Sequence, residues 1–194
     1  MKIVITDAQL EELVFGIGAI GVQLLGPAEC ERLNVLCSQI ALQPVARYQG
    51  DQVEQNFEAT KIPVGAKGFD HLVYWLQHQL EGRVGTYLPD MLEFTDWHLQ
   101  RYLPTPDADY GISPHRDNKS FIGLVVVILV QGEPLFHVCS DKQGSDSVLI
   151  NAQPGDAIIM RGTGFDNKDE RPIHYVGKVT KPRLTFSLRQ QAIK

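Results

Sequence analysis

What this chain has little of narrows its class before any motif is read. Basic charge is short: eighteen Lys and Arg against twenty-three Asp and Glu leave a formal charge of −5. Gripping a phosphate backbone takes clustered cations, so a large nucleic-acid footprint is disfavoured, although a small basic channel is not. No run of five like charges occurs, which removes charged tails. Cysteine is scarce too, and Cys30, Cys37 and Cys139 make neither an even framework nor a C-x-x-C clamp. Cys30 and Cys37, seven apart on an expected helix, would stand about 10.5 Å apart along its axis, too far for a disulfide. All three read as small buried hydrophobes in a reducing compartment. Long apolar runs are missing: Leu13 to Gly26 carries no charge but is only fourteen residues long, with four glycines and Gln23 inside. A spanning helix needs about 20 residues. At the N-terminus the short run Ile3-Val4-Ile5 gives way to Asp7, Glu11 and Glu12, unlike a secretory leader. These absences predict a cytoplasmic protein without membrane association.

What is present is ordinary globular composition, 43% hydrophobic and 21% charged over 194 residues. That suits a single domain, 1–194, with a sizeable core. Residues 1–92 read as a mixed helical scaffold. Phe15 to Leu25 predicts a strand ended by Gly26-Pro27, and proline suits the first position of the helix that follows. Leu33, Leu36, Cys37 and Ile40 recur at helical spacing, as do Phe69, Leu72, Val73, Leu76 and Leu80, a stripe expected to close at Gly82. His71 and His78 lie off that stripe and read as solvated. Val45 to Gly68 has mixed polarity and reads as a connector with no assigned role. From Glu93 onward, β-rich runs follow one another between turn residues: Phe94–Leu103, Tyr110–His115, Phe121–Val130, Pro134–Cys139, Ser147–Ile150, Ala157–Arg161, Ile173–Val179 and Arg183–Leu188. Eight closely spaced strands without intervening helices predict a double-sheet jelly roll over 93–190. The expected class is α+β, with N-terminal helices packed on that core. Gly162 to Glu170 reads as a mobile loop.

The densest chemistry lies in Tyr110-Gly-Ile-Ser-Pro-His115-Arg-Asp117, just before the β-branched run. On an extended strand successive side chains alternate faces, so His115 and Asp117 are expected on one side and Arg116 on the other. An imidazole and a carboxylate on one face are two ligands of a 2-His-1-carboxylate iron site, the third being a distant histidine. His174, in Arg171-Pro-Ile-His174, is the candidate. Nine residues further stands Arg183, a fork-shaped cation suited to gripping a carboxylate. An H-x-D pair alone is common by chance and would be a surface pair; the order and spacing of the four residues carry the reading. His98 and His137 fit no motif and read as core or edge histidines. Trp97 and Tyr110 read as packing aromatics.

On these residues the segment 93–190 resembles the catalytic core of Fe(II)- and 2-oxoglutarate-dependent dioxygenases. Within that superfamily the texture is similar to the AlkB-type branch. Gln100-Arg-Tyr102-Leu-Pro is similar to its Asn-x-Tyr-x-Pro segment. Arg183-Leu-Thr185-Phe-Ser187-Leu-Arg189 keeps the spacing of its Arg-x-Asn-x-Thr-x-Arg strand, with Thr185 and Ser187 as departures. The resemblance implies Fe(II) on His115, Asp117 and His174, with 2-oxoglutarate and O2 as cosubstrates. It implies that Arg183 clamps the far carboxylate of 2-oxoglutarate and Tyr102 donates its hydroxyl. Arg189 would reach the metal-side carboxylate, and Gln100 and Thr185 occupy the positions of its polar partners. Because Asp117 is a carboxylate, hydroxylation is implied and halogenation disfavoured. The leading expectation is a hydroxylase of a small molecule or natural-product intermediate. An oxidative dealkylase of nucleic acid and a protein hydroxylase are the alternatives, and a jelly-roll binding module is the non-enzymatic one.

Overall fold

The computed structural model describes residues 3–49 and 53–192. The first part of the chain holds α1 (Asp7–Val14), β1 (Ala19–Gln23), α2 (Pro27–Ser38), the short strands β2 (Gln43–Pro44), β3 (Tyr48–Gln49) and β4 (Val53–Glu54), then β5 (Phe57–Ile62) and α3 (Asp70–Val84). There follow β6 (Asp96–Tyr102), β7 (Ile112–His115), β8 (Phe121–Gln131), β9 (Phe136–Cys139), β10 (Val148–Leu149), β11 (Asp156–Arg161), β12 (Ile173–Val176) and β13 (Arg183–Gln191). Each of the eight strands expected after Glu93 is present, with ends shifted by a few residues.

Those eight form two sheets, β11-β8-β13-β6 and β10-β9-β12-β7, the four-plus-four arrangement of a jelly roll. The larger sheet is extended by β1 at one edge and by β5 and β2 at the other, making seven strands. Its central strands are apolar on both sides because each side meets a core, which is why they read as continuous hydrophobic runs. Leu124, Val126 and Ile128 of β8 join Leu184, Phe186 and Leu188 of β13 in a core shared with α1, α2 and α3. Val125 and Val127 point the other way, toward Phe136, Val138 and Val176 of the smaller sheet. The helices cover one face of the larger sheet, and its opposite face is left to build a cavity.

Several boundaries depart from expectation for local reasons. The helix α1 adds to the expected elements, and Thr6-Asp-Ala-Gln9 explains it as a capping box: Thr6 Oγ1 accepts from Gln9 N at 3.2 Å and Gln9 Oε1 from Thr6 N at 3.0 Å. The strand expected over Phe15 to Leu25 shrinks to β1. The helix α3 runs through Gly82 to Val84 and is capped by Gly85. Glycine inside a helix costs only about 1 kcal/mol, which the buried Leu76, Leu80 and Val84 offset. The stretch read as a connector contains β5, which pairs antiparallel with β6 from Phe57↔Tyr102 to Ile62↔Trp97. Its mixed polarity reflects one face turned to the cavity. Gly162 to Glu170 is anchored by Phe165, which is buried and stacks on Tyr87 at 5.9 Å.

Other expectations hold. His71 and His78 are exposed on α3. The three cysteines are free and buried, and burial pushes the Cys37 thiol up to about 12, so it stays protonated and inert. No helix among the described residues is long and apolar enough to cross a membrane.

Candidate metal centre and its cavity

The strand β7 ends at His115, so simple alternation does not extend to Asp117, which lies just past the strand. The two nonetheless converge, with His115 Nε2 3.9 Å from Asp117 Oδ1. The buried Arg171 holds the turn by donating from Nη1 to the Asp117 main-chain oxygen and from Nε to Asp169 Oδ1 at 2.7 Å. His174 on β12 is the register partner of His115 on β7, and their rings lie 4.4 Å apart. Ligand atoms of His115, Asp117 and His174 all fall within 4.8 Å of one another.

Both imidazoles are aimed by the same device. His115 Nδ1 lies 2.8 Å from Ser113 O, and His174 Nδ1 lies 3.2 Å from Pro172 O. A backbone carbonyl accepts a hydrogen bond from Nδ1–H, which leaves Nε2 as the free lone pair turned to the centre. Phe136 stacks on His174 at 5.1 Å and fixes the ring plane. Burial, with His115 adding to it, pushes His174 down to about 4, so the ring is neutral at physiological pH. Burial alone would raise Asp117. His174, Arg189, His115 and Arg171 outweigh it and hold the carboxyl below its usual range. An ionised carboxylate beside a neutral imidazole in a poorly hydrated site is the donor set of a divalent first-row metal, and two histidines with one carboxylate suit Fe(II).

The second half of the site is written by alternation on two paired strands. Arg183, Thr185, Ser187 and Arg189 of β13 stand opposite Tyr102, Gln100, His98 and Asp96 of β6, all on the inner face. Arg183 is 1% exposed, yet its Nε and Nη2 have no hydrogen-bond partner, and its guanidinium sits 5.2 Å over the Tyr102 ring. A charge desolvated without a counter-ion is costly, and burial lowers the Arg183 pKa accordingly. Such a group calls for an anion. Gly132 makes room behind it: at φ +102, a Cβ there would lie 2.7 Å from the Arg183 Cα, so only glycine permits this approach of the backbones. Arg189 is less free, with Nη1 3.7 Å from Asp96 Oδ2 and its guanidinium 5.0 Å over Phe121.

These groups enclose a cavity of about 480 Å³ whose walls include the three candidate ligands, Arg183, Arg189, Tyr102 and Gln100. Gln100 accepts from Ser187 Oγ at 3.0 Å. Thr185 shares the inner face but is fully buried and not on the wall. Two expectations are corrected. His98, read as a core or edge histidine, lines the cavity together with Asp96. Counting back from Tyr102 in twos finds both. Arg116, expected on the face opposite the ligands, is exposed at the cavity edge and donates from Nε to Arg171 O at 3.1 Å, because the strand has already ended. Trp97 packs, with no exposure and Nε1 donating to Phe94 O at 2.7 Å. Tyr110 and His137 both pack on Tyr175.

No family model and no curated protein matches this sequence. Solved structures match its shape. A prolyl-4-hydroxylase from Pseudomonas putida has a TM-score of 0.62 at 16% identity, over 95% of this chain and 98% of its own. A viral collagen prolyl hydroxylase from Paramecium Bursaria Chlorella virus-1, in complex with 2-oxoglutarate, reaches 0.64 at 14% identity over 91% and 96%. The fold is that of Fe(II)- and 2-oxoglutarate-dependent oxygenases. A non-haem α-ketoglutarate-dependent epimerase from nogalamycin biosynthesis matches at 0.60 with 14% identity over 95% and 83%. None of these three likenesses places the chain in the AlkB-type branch. The residues present fit the groups this fold serves: two aimed imidazoles and a carboxylate for Fe(II), and an unpaired buried arginine in the same cavity for a diacid.

Proposed function

We propose that the protein is an Fe(II)- and 2-oxoglutarate-dependent dioxygenase that hydroxylates a small molecule. The observation that carries this reading is the pairing, within one cavity, of a converged His115–Asp117–His174 cluster with the buried, unpartnered Arg183. Metal and cosubstrates, when bound, supply oxidation of a substrate C–H bond to C–OH by O2, coupled to decarboxylation of 2-oxoglutarate to succinate and CO2. His115, Asp117 and His174 would hold the iron. Arg183 would grip the far carboxylate through its free N–H groups, and the Tyr102 ring beneath it keeps the fork in place. Arg189 lies close enough to lower Asp117 and stands on the metal side of the cavity. Phe121, Phe136 and Val127 line the remaining wall and limit water near the oxidising centre.

A peptide substrate is the second reading, supported by the likeness to prolyl hydroxylases. Dealkylation of nucleic acid gains nothing from an acidic chain. The test is succinate formation from 2-oxoglutarate with Fe(II) and ascorbate in air, read as uncoupled turnover without a primary substrate. His115→Ala, Asp117→Ala and His174→Ala are each expected to abolish it while keeping the fold. Activity at the wild-type rate in any one of them would contradict the assignment.

A further inference from the structure

Asp96, His98 and Arg189 on the cavity wall form, with the exposed Lys61 beside it, a charged network that neither the metal ligands nor Arg183 explains. Asp96, 8% exposed at its side chain, accepts Lys61 Nζ at 2.9 Å and His98 Nε2 at 3.2 Å on Oδ1, with Arg189 Nη1 3.7 Å from Oδ2. Burial would raise this carboxyl, but the bonds from His98 and Lys61 overcome it and hold Asp96 well below the usual range. Register fixes the place. Asp96 opposes Arg189 at one end of the β6–β13 pair, and Tyr102 opposes Arg183 at the other, six residues along the strand. At roughly 3.3 Å per residue the two ends lie about 20 Å apart. A five-carbon diacid gripped by Arg183 therefore leaves the Asp96 end open.

We infer that this wall recognises the primary substrate, and that the substrate carries a carboxylate or a comparable anionic oxygen group bound by Lys61 beside His98. The inference rests on the proposed iron and 2-oxoglutarate site and names the substrate class of that site. Charge carries the first step. A divalent metal, Asp117, a doubly ionised 2-oxoglutarate and Arg183 balance among themselves. What remains is Arg116 and Arg189 on the wall and Lys61 beside it, against Asp96, a surplus of two positive charges before His98 is counted. Geometry carries the second. Both Asp96 oxygens already face cations, so a cationic substrate would have to displace Lys61 or Arg189 to reach them. Lys61 is the opposite case: its side chain is 58% exposed and Asp96 is its one ion-pair partner among the described residues, so two of its three N–H donors remain for a ligand. Arg189 Nε is buried without a partner. Around the network, Val45, Phe57, Ala59 and Ile112 offer an apolar surface for the body of the molecule. Asp96 thus serves as the internal counter-ion that holds the two cations in position.

The test uses two matched probes on the protein loaded with Mn(II) and saturating 2-oxoglutarate. Fluorine NMR of trifluoroacetate and of trimethyl(trifluoroethyl)ammonium, whose charge is permanent, reports which one is broadened by the paramagnetic metal. Trifluoroacetate should be broadened and the ammonium left sharp. Lys61→Met should weaken trifluoroacetate roughly tenfold or more, the loss of one charge-assisted hydrogen bond. Asp96→Asn, which keeps the shape and removes the competing charge, should strengthen it. Broadening of the ammonium instead, weaker trifluoroacetate binding in Asp96→Asn, or no change in Lys61→Met would overturn the inference. The anaerobic Fe(II)–2-oxoglutarate absorption band, recorded on the same protein, separates two failures. No band overturns the cosubstrate reading, whereas a band without trifluoroacetate broadening overturns the substrate class alone.

Discussion

Arg183 is the residue at which stability and function pull apart. In the ligand-free protein it is a buried guanidinium without a counter-ion, so the folded state bears its desolvation. Replacing it with methionine, similar in length and apolar, should leave the metal-free, 2-oxoglutarate-free protein as stable as wild type or more stable by ~1 kcal/mol or more. 2-Oxoglutarate is expected to raise the melting temperature of the wild type, since only the folded state would bind the diacid, and Arg183→Met should erase that rise. Thermal denaturation with and without 2-oxoglutarate checks both halves; a variant still stabilised by the diacid would show that Arg183 does not bind it. Arg183 was legible from its nine-residue offset from His174, and His115 and Asp117 from their spacing. Asp96 and His98 were legible only by alternation from Tyr102, and Lys61 was not legible. Each is a single polar residue in a strand, and it takes the pairing of β6 with β5 to show that Lys61 shares their inner face. Arg116 misled in the opposite sense, since alternation does not continue past the end of β7.

At the scale of elements, β8 and β13 were the easiest to read, because strands buried on both sides are forced to be β-branched and apolar throughout. The strand β5 was hidden by its position at the cavity. It carries Lys61 in register with His98, while Glu58 and Thr60 alternate to the other face, so no apolar stripe marks it. The helix α1 announces itself only through its capping box. Two glycines show how local context decides cost. Gly82 sits inside α3 with no atom within 4 Å of where an added Cβ would lie, whereas at Gly132 the same Cβ would meet the backbone of Arg183. Gly82→Ala should stabilise the protein by ~0.5 to 1 kcal/mol. Gly132→Ala should destabilise it by ~2 kcal/mol or more and weaken 2-oxoglutarate binding, since β13 must shift at Arg183. Urea denaturation of the two variants side by side decides the matter, and equal effects would refute this view of the β8–β13 contact.

For the whole molecule, the jelly roll brings the convergent His115, Asp117 and His174 at the smaller sheet to one cavity with the buried Arg183 of the larger sheet. Eight strands in order, with turn residues between them, were enough to anticipate that architecture. The cavity's chemistry was only half legible, because a wall assembled from β5, β6 and β13 has no contiguous motif. The most direct test of the central proposal is anaerobic titration of the protein with Fe(II) and 2-oxoglutarate, watching for the visible charge-transfer band between metal and keto acid, with His174→Ala as the blank. A band in wild type that is absent from the variant is the expected result. A folded, iron-supplied wild type that shows no band would contradict it and leave the chain a jelly-roll binding protein.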